Sequence, residues 1–151
     1  SIDSFSDMFV TLFYAQLNLA TGEVVYVNAG HNPPFHYSAT KNEFVILRRT
    51  GTALGVDETN IYEQKSLFLQ PGDLLFLYTD GVTAAQSPSG DFFGLQRFQA
   101  AIAASASQPD AAAVLAEIGT VIQDFAGTAP RYDDIILLAL RRQAIEIGDP
   151  A

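Results

Sequence analysis

The chain has 151 residues, 48% of them apolar and 17% charged, with 11 Phe and 6 Tyr, which is too much buriable surface for a disordered chain and the length of about one domain. Seventeen acidic against eight basic residues leave a net charge of −9, so nucleic acid and anionic membrane surfaces are poor partners. No cysteine and only two histidines are present, which excludes disulfides, thiolate nucleophiles and histidine-rich zinc centres and leaves hard oxygen ligands to hold any metal.

In chain order, residues 8–18 and 23–27 are rich in aromatic and β-branched types around Ala20-Thr21-Gly22, which predicts a β-hairpin. Pro33-Pro34 interrupts, and residues 35–38 and 43–47 then read as two short strands continuing a meander across the polar Ala39–Asn42 turn. Residues 61–69 read as a strand, Gln70–Asp73 as a turn, and Leu74–Thr79 as an apolar strand covered on both faces, the centre of a sheet. Leu95, Phe98 and Ile102 recur at helical spacing, as do Val114, Ile118, Ile122 and Phe125, predicting two amphipathic helices. The second starts at Ser107-Gln108-Pro109-Asp110, with Pro at an early helical position and Asp in the first turn, and stops before Gly127. Residues 135–140 return to strand character before a polar tail. Helices inserted among antiparallel strands make an α+β domain. Neither a glycine-rich phosphate loop nor a serine nucleophile elbow is found. No basic and apolar leader opens the chain and no apolar run spans a bilayer, so a cytoplasmic location is expected.

Three segments carry possible chemistry. At Thr79-Asp80-Gly81 a buried strand ends in a carboxylate followed by Gly, a rigid mount for a hard cation, although Asp-Gly also ends strands in ordinary turns. Asp133-Asp134 puts two carboxylates at the entrance of the last strand, where their repulsion is relieved by solvent or by a cation. Asp80 and Asp133 are the residues suited to holding Mg²⁺ or Mn²⁺ beside a water that attacks a phosphoryl group. The stiff Asn28-Ala29-Gly30-His31-Asn32-Pro33-Pro34 loop offers His31 as a general acid or as a hydrogen-bonded structural residue. His36 reads as half-exposed scaffold, and the Gly51–Gly55 loop as core or substrate contact, with core favoured.

Phe9–Tyr14, Leu19–Gly22, Asn28–Pro34, Gly51–Gly55, Pro71-Gly72-Asp73, Tyr78–Thr83, Phe93-Gly94 and Asp133–Ile135, taken in this order, resemble the stage II sporulation protein E-like branch of the metal-dependent (PPM-type) serine/threonine protein phosphatases. The resemblance covers nearly the whole chain. It implies an α-β-β-α sandwich of mostly antiparallel sheets flanked by helices, two Mn²⁺ or Mg²⁺ ions, and hydrolysis of phosphoserine or phosphothreonine on a regulatory protein of the anti-anti-sigma-factor type by a metal-activated water. A fused upstream sensor domain is common in the family. By the resemblance Asp80, Gly81, Asp133 and Asp134 are metal-site residues, Asp80 and Asp133 the catalytic pair, and Asn28, Gly30, His31 and Asn32 a loop near the site.

The family's domain normally opens with Gly-Asp-x-Ser-Gly-His-Gly, whose Asp bridges the metals, and the chain does not contain it. Residues 1–142 are therefore expected to be the C-terminal, larger part of such a domain, with 143–151 a polar tail, and this piece is expected to be inactive alone and to self-associate through an exposed sheet edge. Ala84-Ala85 stand where the family often has an acidic residue. The alternative reading is a non-catalytic partner-binding module derived from such a phosphatase.

Overall fold

The structure is a computed structural model that describes residues 8–143, so most of the tail expected over 143–151 lies outside the described residues. β1 (Leu12–Leu17) and β2 (Glu23–Ala29) form the expected hairpin, with Leu17 opposite Val24. The Asn18 side chain accepts from the amides of Ala20 and Thr21 at 3.0 and 3.2 Å, a local bond that turns the chain without help from packing. β3 (Phe35–Ser38) and β4 (Glu43–Ile46) form a second hairpin, followed by β5 (Lys65–Phe68) and β6 (Leu74–Tyr78).

The chain is not a continuous meander. It alternates between two antiparallel sheets, ordered β1-β2-β5 and β4-β3-β6-β7, the last strand being β7 (Leu137–Arg141). β5 is shorter than the strand expected over 61–69, and the amide of Glu63 donates instead to the Thr50 carbonyl at 3.2 Å. Between β6 and β7 lie α1 (Asp80–Thr83), α2 (Gly94–Ser105) and α3 (Ala111–Ala126). α3 starts later than its sequence signals suggest, because Asp110 caps it from outside, accepting from the Ala113 amide at 2.8 Å, and Pro109 precedes the helix.

Two apolar layers hold these elements together. Val24, Tyr26, Leu47, Leu69 and Leu75 join the two sheets, while Phe35, Phe76, Tyr78, Phe98, Ile102 and Ile118 join the second sheet to α2 and α3. β6 is thus an interior strand covered on both faces, as its unbroken apolar run requires. Of the sandwich expected from the sequence, the described residues form sheet, sheet and helices, with Leu12, Tyr14 and Phe68 exposed on the first sheet. At the start of β6, the buried Asp73 carboxylate accepts from the amides of Gln70 and Ala39 and lies 2.9 Å from His36 Nε2, so His36 is scaffold at the end of the strand remote from Asp80. Among the described residues no helix is long and apolar enough to cross a membrane.

Candidate active site

Because β6 and β7 pair antiparallel, with Tyr78 opposite Leu137, the exit of β6 lies beside the entrance of β7. That juxtaposition brings Thr79-Asp80-Gly81 against Asp133-Asp134. Thr79 fastens the two segments: its amide donates to the Ile136 carbonyl at 3.1 Å, its hydroxyl donates to the Asp134 carbonyl at 2.9 Å, and the same oxygen accepts from the Ile136 amide at 3.0 Å. Gly81 is buried, and a methyl group there would overlap the Asp134 carbonyl oxygen, so the close crossing needs a residue without Cβ. Asp80 follows as the first residue of α1 with its side chain exposed, and the Asp134 amide donates to Asp133 Oδ1 at 2.8 Å. Burial, and secondarily the Asp80 charge, push the Tyr78 hydroxyl above the usual tyrosine range.

The facing wall is built by side-chain to backbone bonds. Fully buried Asn28 donates through Nδ2 to the Leu47 carbonyl at 3.1 Å and accepts at Oδ1 from the His31 amide at 2.8 Å. Its own amide donates to Thr50 Oγ1 at 2.9 Å. Gly30 adopts φ +71°, and its amide donates to the Gly51 carbonyl at 3.1 Å, a conformation and a close approach to Ala53 that only glycine allows cheaply. His31 Nδ1 lies 3.2 Å from Thr11 Oγ1. The 51–55 loop therefore braces this wall and is largely exposed, in contrast to the core position favoured from sequence.

The walls meet in an open cleft of about 550 Å³ lined by Gly30, His31, Asn32, Arg49, Asp80, Asp133 and Asp134 among others. Asp80, Asp133, Asp134 and three of the four loop residues are thus brought together. Asn28 points into the core, and Gly81 faces an adjoining cavity. Sequence reasoning gave Arg49 and Thr11 no place at the site and named Thr79 only within the Thr79-Asp80-Gly81 segment. Arg49 belongs to an Arg-Arg pair in an irregular segment with no spacing signal, whereas Thr79 was recognisable only as part of a strand ending.

The donors of the cleft are carboxylates, which suits Mg²⁺ or Mn²⁺. Among the described residues no three acidic or histidine side chains stand close enough to share one ion. Two carboxylates with water completing the shell is a usual arrangement for Mg²⁺, so the residues present fit such an ion through Asp80 and Asp133.

The stage II sporulation protein E (SpoIIE) family model matches residues 1–143. The chain is 35% identical over 139 residues to Protein IcfG of Synechocystis sp. (strain ATCC 27184 / PCC 6803 / Kazusa), an alignment covering 89% of this chain and 21% of that protein. It is 32% identical over 140 residues to Phosphoserine phosphatase RsbU of Bacillus subtilis (strain 168), covering 91% of this chain and 40% of RsbU. The SiaA-PP2C domain of Pseudomonas aeruginosa superposes with a TM-score of 0.65 at 25% identity over 80% of this chain and 47% of that one. The chain therefore belongs to the SpoIIE family of PP2C-type phosphatases and shares its α+β fold, while spanning well under half the length of either relative.

Proposed function

We propose that residues 1–142 are part of a cytoplasmic protein serine/threonine phosphatase domain, followed by a tail over 143–151, that removes phosphate from phosphoserine on a regulatory partner of the anti-anti-sigma-factor type. The observation that carries this reading is the convergence of Asp80, Asp133 and Asp134 with Arg49 and His31 in one cleft, in a chain similar to a phosphoserine phosphatase. In the reaction a water oxygen forms a bond to phosphorus, the bond from phosphorus to the serine oxygen breaks, and the serine oxygen regains a proton. Asp80 and Asp133 would hold Mn²⁺ or Mg²⁺, with Asp134 and the Gly81 turn beside them; two ions are the family's complement. When bound, such a cation supplies positive charge to the phosphoryl oxygens and makes a coordinated water more acidic.

The protein's own groups have separate tasks in this reading. Three carboxylates alone would repel a phosphate dianion, and Arg49 offsets that repulsion on the opposite wall. His31, oriented through Thr11, is the candidate acid for the departing serine oxygen. The rigid crossing of Thr79 and Gly81 fixes the spacing between Asp80 and Asp133.

The test is Mn²⁺-dependent dephosphorylation of a phosphoserine peptide by the intact protein. Asp80→Asn should lower turnover by more than about a hundredfold, while Asp57→Asn, on an exposed turn, leaves it unchanged. Full activity in Asp80→Asn would refute the assignment. The absence of a three-donor cluster among the described residues favours a second reading, a partner-binding module without catalysis. That module would bind the phosphorylated partner equally well with Asp80 or Asn and turn over none of it.

A further inference from the structure

Beside the carboxylate cleft lies a second cavity of about 220 Å³. Its walls come from the end of α3, the residues after α1 and the loop into β7, and four of its lining residues are alanines: Ala84, Ala85, Ala126 and Ala129. Small side chains therefore make up much of its lining. Ile122 and Ile135 supply an apolar floor, whereas Gln86, Gln123 and Arg131 put polar groups around it. The two spaces share one wall residue: Asp133 borders both, and Gly81, next to Asp80, borders the cavity.

We propose that this cavity is a specificity subsite for an apolar side chain, of leucine to phenylalanine size, belonging to the phosphorylated partner. The proposal rests on the phosphatase reading above. An apolar cavity of about 150 Å³ already accommodates a benzene ring, so the volume suits one such side chain and is too small for a helix. An extended peptide advances about 3.3 Å per residue, so a side chain that enters the neighbouring space across the shared Asp133 belongs to a residue within about three positions of the phosphoserine. The carboxamides of Gln86 and Gln123 can bond the peptide backbone along that path, and Arg131 favours an acidic residue beside the apolar one.

The experiment uses the intact protein with Mn²⁺, p-nitrophenyl phosphate, and phosphoserine heptapeptides carrying Ala, Leu or Phe at each position within three residues of the central phosphoserine. The expected result is a kcat/KM at least about tenfold higher for Leu or Phe than for Ala at one of those positions. Ala126→Leu, which fills the cavity, and Gln123→Trp, which covers it from an exposed helix position, should each erase this preference while keeping a native circular dichroism spectrum, whereas Asp57→Asn, exposed and in neither lining, should keep both the preference and p-nitrophenyl phosphate hydrolysis. A uniform rate across the peptides, or a preference that survives both variants, overturns the subsite. If p-nitrophenyl phosphate and every peptide go unhydrolysed, the phosphatase reading fails by itself. The subsite is then decided by fluorescence anisotropy of the labelled peptides: tighter binding of the Leu or Phe peptide that Ala126→Leu abolishes supports it, and equal binding overturns it.

Discussion

The two walls of the cleft are built on different principles. The carboxylate wall stands on the ends of β6 and β7, backed by aromatic packing in which Phe35 stacks on Tyr78 at 5.3 Å and Phe98 meets Tyr78 edge-on at 5.0 Å. The His31 wall stands on loops next to a sheet that leaves Leu12, Tyr14 and Phe68 exposed, and it is held by the hydrogen bonds of Asn28, Thr50 and Gly30. Apolar packing behind β6, joined to the loop into β7 by the hydrogen bonds of Thr79, mounts the exposed carboxylates. Directional polar bonds fix the loop that faces them across the cleft. Built in this way, the loop wall can vary without disturbing the carboxylates.

That contrast can be broken by stability measurements. Phe98→Ala should cost about 3–5 kcal/mol, and Asn28→Ala about 1–3 kcal/mol from the polar partners it strands, both read from denaturant midpoints. An Asn28→Ala cost equal to or above that of Phe98→Ala would mean that the loop wall, too, is part of the main core. Thr79→Val removes two hydrogen bonds at the join between β6 and the loop into β7 and should cost about 1–2 kcal/mol, with Thr79→Ser restoring most of it. If Val is tolerated as well as Ser, the hydroxyl does not fasten the carboxylate wall.

How much of this was legible in the sequence depended on the range of the interaction. The first hairpin and the exit of β6 were readable, because the Asn18 turn and an apolar run ending in Asp-Gly are local signals. Four-residue α1 is too short for helical periodicity to reveal. Asp80 and Asp133 were recognisable one at a time, but their meeting depends on β6 pairing with β7 across three intervening helices. Arg49 reaches the same cleft only because β3 and β4 belong to the second sheet while β5 returns to the first, and no pattern near residue 49 encodes that crossover. The adjoining cavity was equally hidden, since nothing in the sequence marks the alanines at 84, 85, 126 and 129 as missing volume.

The smallest expected effect is alkaline. The Tyr78 hydroxyl is raised by burial and by Asp80, so the folded state holds its proton longer than the unfolded chain does. Its contribution is complete below about pH 10 and is lost as pH rises through the folded value. Tyr78→Phe should flatten the fall in stability above that pH, and an unchanged alkaline slope would remove Tyr78 as its source.

The central claim is that Asp80 and Asp133 act on one ion. Calorimetric titration of Mn²⁺ into the intact protein, Asp80→Asn, Asp133→Asn and the double variant tests it most directly. The account predicts that either single substitution weakens binding nearly as much as both together, because each breaks the same shell. Losses that simply add, or single variants that bind Mn²⁺ like the unaltered protein, would show that the two carboxylates do not share a metal.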